Sequence, residues 1–233
     1  MESKELTIII VTFKSETRVM NCLRSISKEI SVIVVENSND EKFKNKIEKN
    51  FNNVNCILTG ENKGYATANN IGLKHVKTKY ALVLNPDTVL NSGAIQNFFN
   101  TVKKVQDFWL IGPAVDQGIK FDLKQNNLIE VNNIKGFAIF FNIPKFNQNF
   151  FDENFFLYFE EIDLCKRVKN NNGKIYLDKS IIIEHDGANS VHKINIVELE
   201  KNRNWHWMWS TFYYHKKHRG FFLALLIIFP KFL

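Results

Sequence analysis

The chain has 233 residues, enough for one large domain or two small ones with a substantial core. Its 45% apolar and 24% charged residues exclude a disordered, collagenous or coiled-coil chain, and 10 Gly and 4 Pro leave no room for a long flexible linker. The net charge is +7, but six cations (Lys201, Arg203, Lys216, Lys217, Arg219 and Lys231) lie in residues 201–233, which hold no Asp or Glu. The remainder is a nearly neutral globule, which argues against a uniformly basic nucleic-acid binder.

In chain order, residues 6–12 form a continuous β-branched apolar run, the mark of a strand covered on both faces. Val19, Leu23 and Ile26 space a helix, and Val32–Val35 gives a second buried strand ending in Glu36-Asn37-Ser38. Residues 41–51 suit a helix, Val54–Leu58 a strand, Ala66–Val76 a helix and Tyr80–Leu84 a strand. Residues 92–105 read as helical and Trp109–Val115 as extended. This alternation predicts an α/β domain with a mostly parallel sheet and helices on both faces.

Function in such sheets sits at the carboxyl ends of the strands. Thr12-Phe13, Glu36-Asn37, Gly60–Gly64 and Asn85-Pro86-Asp87 all fall there, so a single cleft is expected; each is also an ordinary set of turn residues. No Gly-x-Gly-x-x-Gly follows the first strand and no P-loop occurs, which disfavours dinucleotide and P-loop chemistry. After Gly136 the chain runs Phe-Ala-Ile-Phe-Phe and then a loop, and then Phe155–Phe159 runs into Glu160, Glu161 and Asp163 at the start of a helix. Negative charge is favoured there by the helix dipole, and Asp163 with Arg167 suits a helical ion pair. Equally, carboxylates beside so many Phe rings would be desolvated and raised towards the pKa of a useful base. Short strands at Lys174–Leu177 and Ile181–Glu184 lead to His185, a ligand candidate or a hydrogen-bonded structural residue. Cys22, Cys56 and Cys165 lack zinc spacing and read as buried free thiols of a reducing compartment. Polar residues 1–5 show no secretory signal, so a cytoplasmic location is expected.

The segments Ile10–Phe13, Val34–Ser38, Glu61–Gly72, Leu84–Asp87, Phe155–Arg167 and His185–Ser190 together resemble family 2 glycosyltransferases, closest to a bacterial rhamnosyltransferase-like branch. The likeness covers residues 6–190 in order, and Lys217–Gly220 continues it. It implies a GT-A fold, a dTDP- or UDP-sugar donor, a divalent cation (Mg²⁺ or Mn²⁺) and inversion at the anomeric carbon, with rhamnose the sugar the branch suggests. By the same resemblance Thr12, Phe13 and Glu36 line the base and ribose pocket. Asn62, Gly64 and Asn69 continue its wall, with Gly64 letting the backbone approach the ligand. Asp87 stands at the metal-binding aspartate, with Asn85 at the first acid of that element and His185 at the second metal-side position. Glu161 stands at the catalytic base, and Gly136, Glu160, Asp163 and Arg167 surround it on the acceptor side. A hard dication would neutralise the departing diphosphate, and a base would take the acceptor proton, worth about 10²–10⁴ in rate.

Residues 194–233 read as a separate segment after a catalytic domain at 1–193. Trp205, Trp207 and Trp209, the cluster His215–Arg219 and the apolar run Phe221–Phe229 suit an amphipathic interfacial helix on the inner face of the cell membrane. That run is too short to span a bilayer, which takes about 20 residues. The competing expectation is a C-terminal helix packed on the domain with its apolar run buried. The resemblance implies a glycan or polyprenyl-diphosphate-linked acceptor. Two other functions compete: a catalytically silent, membrane-attached nucleotide-sugar-binding protein, and a nucleotidyltransferase, for which Thr12–Arg18 offers only Lys14 and Arg18 as phosphate ligands.

Overall fold

The structure is a computed structural model that describes residues 2–114, 127–185 and 196–231. Val115, the Gly187 and Ser190 of the last motif, and the expected division at 193/194 lie outside the described residues.

Ten strands and seven helices are described. β1 (Leu6–Thr12), α1 (Glu16–Arg24), β2 (Ser31–Glu36), α2 (Glu41–Asn50), β3 (Val54–Leu58), α3 (Gly64–Lys74) and β4 (Tyr80–Leu84) form the alternating first half. β5 (Thr88–Leu90), α4 (Ala94–Lys104), β6 (Leu110–Pro113), β7 (Leu128–Glu130) and β8 (Ala138–Asn142) follow. α5 (Glu160–Asn170), β9 (Ile175–Asp178), β10 (Ile183–His185), α6 (Ile196–Arg219) and α7 (Phe221–Ile228) complete the chain.

The main sheet has the order β3-β2-β1-β4-β8-β6-β9-β7. β3, β2, β1 and β4 are mutually parallel, β8 runs antiparallel between β4 and β6, and β7 is an antiparallel edge. β5 and β10 form a separate antiparallel pair. The continuous apolar run of β1 arises because both faces are covered. Leu6, Ile8 and Ile10 join the layer under α1, α2 and α4, while Ile9 and Val11 join the layer under α3 and α5.

The abundant phenylalanine has a structural use. Phe140 and Phe141 are neighbours on β8 and point into opposite layers. Phe140 stacks on Phe98 at 4.9 Å and lies 5.3 Å from Tyr80, while Phe141 meets Phe146 at 5.3 Å and Phe151 at 5.9 Å. Edge-to-face and offset rings fill both layers beside one central strand. Cys22, Cys56 and Cys165 are buried free thiols, pushed up to about 12 mainly by burial.

The C-terminal segment packs on the domain, but its apolar run is largely exposed rather than buried. α6 packs on the domain, where His206 stacks on Phe156 at 4.5 Å and Tyr213 meets Phe155 at 4.8 Å. α7 folds back on α6 but buries only Ala224 and Ile228. It has no polar face, so it is apolar all round rather than amphipathic.

Candidate active site

Because β1, β2 and β4 are parallel, with Thr12 beside Glu36 and Ile10 beside Leu84, their carboxyl ends share one edge. Asn37 organises that edge. Its Nδ2 donates to Asn62 Oδ1 at 2.9 Å and Gly64 O at 3.2 Å, and its Oδ1 accepts from Lys63 N at 3.0 Å and Thr59 Oγ1 at 3.2 Å. These bonds tie the end of β2 to the turn that opens α3. A cleft of about 290 Å³ results, and Phe13, Asn62, Gly64, Asn85 and Asp87 all line it.

Three residues expected in that wall do not line the cleft. The Glu36 carboxylate accepts from Ser38 N and Asp40 N, both at 3.1 Å, and from Ser38 Oγ at 2.7 Å, so it closes the turn after β2 instead of facing the cleft. Asn69 is fully buried and donates to Tyr65 O at 3.0 Å, back along its own helix. Thr12 is buried at the end of β1 and is not among the lining residues. Gly64 lines the cleft, but its lack of a side chain serves a different neighbour. At φ +79°, a Cβ there would stand 2.6 Å from Phe156 O. The glycine lets the loop before α5 close on α3, where Tyr65 N donates to Phe156 O at 2.7 Å.

Asp87 follows β4 and immediately precedes β5. Because Thr88 pairs with His185 in the β5–β10 ladder, His185 is carried beside Asp87. Its Nε2 lies 3.5 Å from Asp87 Oδ1, and its ring stacks on Phe137 at 4.7 Å. Arg18, from the first turns of α1, brings Nη1 to 3.6 Å from Asp87 Oδ2. Asp87 Oδ1 is buried and accepts no hydrogen bond among the described residues. An orphaned carboxylate oxygen with an imidazole nitrogen beside it suits a hard or borderline dication. No third His, Cys, Asp or Glu joins this pair among the described residues.

The second group of site residues lies at the start of α5. Tyr158 and Phe159 both adopt left-handed backbone, at φ +71° and +68°, which bulky residues avoid. α6 holds this turn down: Ser210 Oγ donates to Leu157 O at 2.7 Å, and Tyr214 packs on Phe159 at 5.4 Å. Glu160 is thereby buried, with Oε2 lacking a hydrogen-bond partner among the described residues. Burial, and then the neighbouring Glu161 charge, push its pKa up. Glu161 is also raised by burial, against the opposing pull of the backbone N–H groups of Glu161 and Ile162 at the helix start. It borders a depression of about 440 Å³ beside Ile134 and Lys135, and its side chain lies against Gly136, where a Cβ would be 3.6 Å from Glu161 Cβ.

Tyr65 links the two groups. Its hydroxyl is 3.1 Å from Asn85 Oδ1 and 2.9 Å from Gly136 O, both acceptors. Burial first, then the charges of Glu160, Glu161 and Asp87, raise its pKa far above the usual phenol range. All three carboxylates thus act on one hydroxyl. Asp163 and Arg167, expected near the acceptor, form a joint with α6 instead. Asp163 is fully buried and accepts from Arg167 Nε at 2.7 Å, Lys217 Nζ at 2.7 Å and His218 Nε2 at 2.8 Å. Arg167 Nη2 donates to Phe150 O. Tyr65 and Asn37 stood inside recognisable motifs without an assigned role; Arg18 had no sequence signal as a neighbour of Asp87.

This sheet order, with the cleft at the carboxyl edge and helices on both faces, is a GT-A-like α/β fold, the architecture of glycosyltransferases. The family model Glycosyl transferase family 2 matches residues 7–165, and the chain belongs to that family. Over 195 residues it is 27% identical to the low-salt glycan biosynthesis hexosyltransferase Agl10 of Haloferax volcanii, covering 72% of this chain and 62% of that protein. The mannosyltransferase PcManGT from Pyrobaculum calidifontis, solved with GDP-Man and Mn²⁺, superposes with a TM-score of 0.67 at 10% identity, covering 96% of this chain and 69% of its own. S. aureus TarS residues 1–349, solved with UDP, gives a TM-score of 0.61 at 17% identity, covering 79% and 59%. The chain therefore spans about three-fifths of the length of both Agl10 and the TarS fragment.

Proposed function

We propose that the protein is an inverting hexosyltransferase of glycan biosynthesis, moving a sugar from a nucleoside diphosphate donor to a hydroxyl of a glycan or lipid-linked acceptor. Support comes from the family, from the hexosyltransferase relative, and from neighbours solved with UDP or GDP-Man. The observation that carries the reading is Tyr65, whose hydroxyl joins the Asn85–Asp87 ledge to the Gly136–Glu161 wall.

On this reading the donor lies in the cleft, with its base and ribose between Phe13 and the Asn37–Asn62 bridge. Asp87 and His185 are the residues that would hold Mg²⁺ or Mn²⁺, which when bound neutralises diphosphate charge. Arg18, already beside Asp87, adds a fixed positive charge to the same wall. Glu161 Oε takes the acceptor proton, because it reaches the open depression while Glu160 is buried behind it. The raised pKa of Glu161 makes it a stronger base once ionised. Glu160 holds its proton and keeps a second negative charge from forming next to the base.

The test uses a donor panel of UDP-, dTDP- and GDP-hexoses, with rhamnose included, and reads donor turnover and nucleotide binding. Glu161→Gln should lower turnover by about 10²–10⁴ and leave nucleotide binding unchanged. Near wild-type turnover by that variant would remove Glu161 from the role.

A further inference from the structure

We infer that the C-terminal helix pair seats the protein on an anionic bilayer surface through the outward side of α7 and the outward indoles of α6. α7 rests on α6 through the buried Ala224 and Ile228. Phe222 and Leu226 of α7, and Phe229 at its C-terminal end, face outward at 81%, 71% and 65% exposure. These positions recur at helical spacing, so they form one stripe. Trp205 and Trp209 of α6 are exposed at 60% and 47%. With Met208, Phe212, Leu225 and Ile228 they enclose a groove of about 260 Å³ whose lining residues are all apolar. A soluble monomer rarely leaves so continuous an apolar patch in water.

Charge identifies what covers the patch. Residues 201–233 carry six Lys and Arg and no acid. Lys217 and His218 are drawn inward to Asp163, so the basic cluster does not face lipid as a block. Lys216 and Arg219 are exposed at the corner where Gly220, at φ +94°, turns the chain into α7. An apolar stripe beside exposed indoles, preceded in the chain by the exposed Lys216 and Arg219, which have no acidic partner among the described residues, matches acyl chains below and anionic headgroups above. A second copy of the chain would instead set this unbalanced positive charge against itself. No described helix is long and apolar enough to cross a membrane, so the pair would lie in the interface.

Flotation of the full chain with phosphatidylcholine vesicles, with and without phosphatidylglycerol, tests this. The wild type should bind the anionic vesicles. In F222S/L226S/F229S the partition coefficient should fall by about tenfold for each apolar side chain withdrawn. K216Q/R219Q should lose about fivefold for each charge on anionic vesicles only. All the substituted positions are exposed, and thermal melts matching the wild type show that the fold is kept. Vesicle binding needs neither donor nor acceptor, so its result is independent of the transfer reaction. Failure of the wild type to float, equal binding by the triple variant, or a dimer in light scattering that this variant abolishes would each overturn the proposal.

Discussion

Asp163→Ala is the most informative single change, because it separates the joint between α5 and α6 from the chemistry beside it. The carboxylate is fully buried and serves three donors on two helices. Two of these keep other partners: Lys217 retains Asp152 Oδ2 at 2.7 Å, and Arg167 retains Phe150 O. His218 loses its 2.8 Å hydrogen bond while its side chain stays largely buried. Removing one member of a buried charged group costs about 3–5 kcal/mol, and the retained contacts favour the lower end. For a chain of this size that corresponds to a fall in Tm of roughly 6–20 °C. Asp163→Asn keeps an acceptor and should lose less, about 1–3 kcal/mol. Chemical denaturation measures both, and limited proteolysis should show cleavage in α6 rising in parallel. A loss below about 1 kcal/mol for Asp163→Ala would refute the claim that this carboxylate holds the two helices together.

Glu160 supplies a pH dependence with a definite sign. Its pKa rises from 4.5 in the unfolded chain to about 8 in the folded one, mainly through burial, so the folded state keeps the proton longer. Stability is therefore full at low pH and falls as pH rises through that window, by at most about 1.4 kcal/mol per pH unit for one proton. The wild type and Glu160→Gln should melt alike below the window and diverge as pH rises through it, the wild type falling while the variant's profile stays flatter; identical slopes would reject this account. Gly64→Ala and Gly60→Ala form a matched pair, at φ +79° and +81°. Both bear the left-handed penalty of about 1–2 kcal/mol, but only Gly64 meets Phe156 O, at 2.6 Å. Gly64→Ala should lose clearly more stability and nucleotide affinity by calorimetry; equal effects would mean that the close approach is unimportant.

The first four strands, and the helices between them, were legible because β1, β2 and β4 are buried on both faces, β3 carries a short apolar-rich run at the sheet edge, and each helix buries one face. β5 and β7 were not, since three-residue strands carry too little periodicity to register. That gap has a functional side, because the β5–β10 pairing is what carries His185 to Asp87. The residue types of the cleft were readable from position at strand ends, but side-chain direction was not. Glu36 and Asn69 occupy the expected places and spend their polar groups on local backbone. The i, i+4 spacing of Asp163 and Arg167 allowed the ion pair that forms, yet nothing local announced that Lys217 and His218 would join them from α6.

The two left-handed residues before α5 are held in place by side chains from the far end of the sequence. A version of the protein cut off before residue 196 would thus lose the contacts that hold the turn beside the candidate site, as well as an appendage. A loss of function in that version would say nothing about where in the cell the protein works. Tail function is better dissected by surface substitutions than by deletion, and the core and tail of this chain are best regarded as parts that must be inherited together.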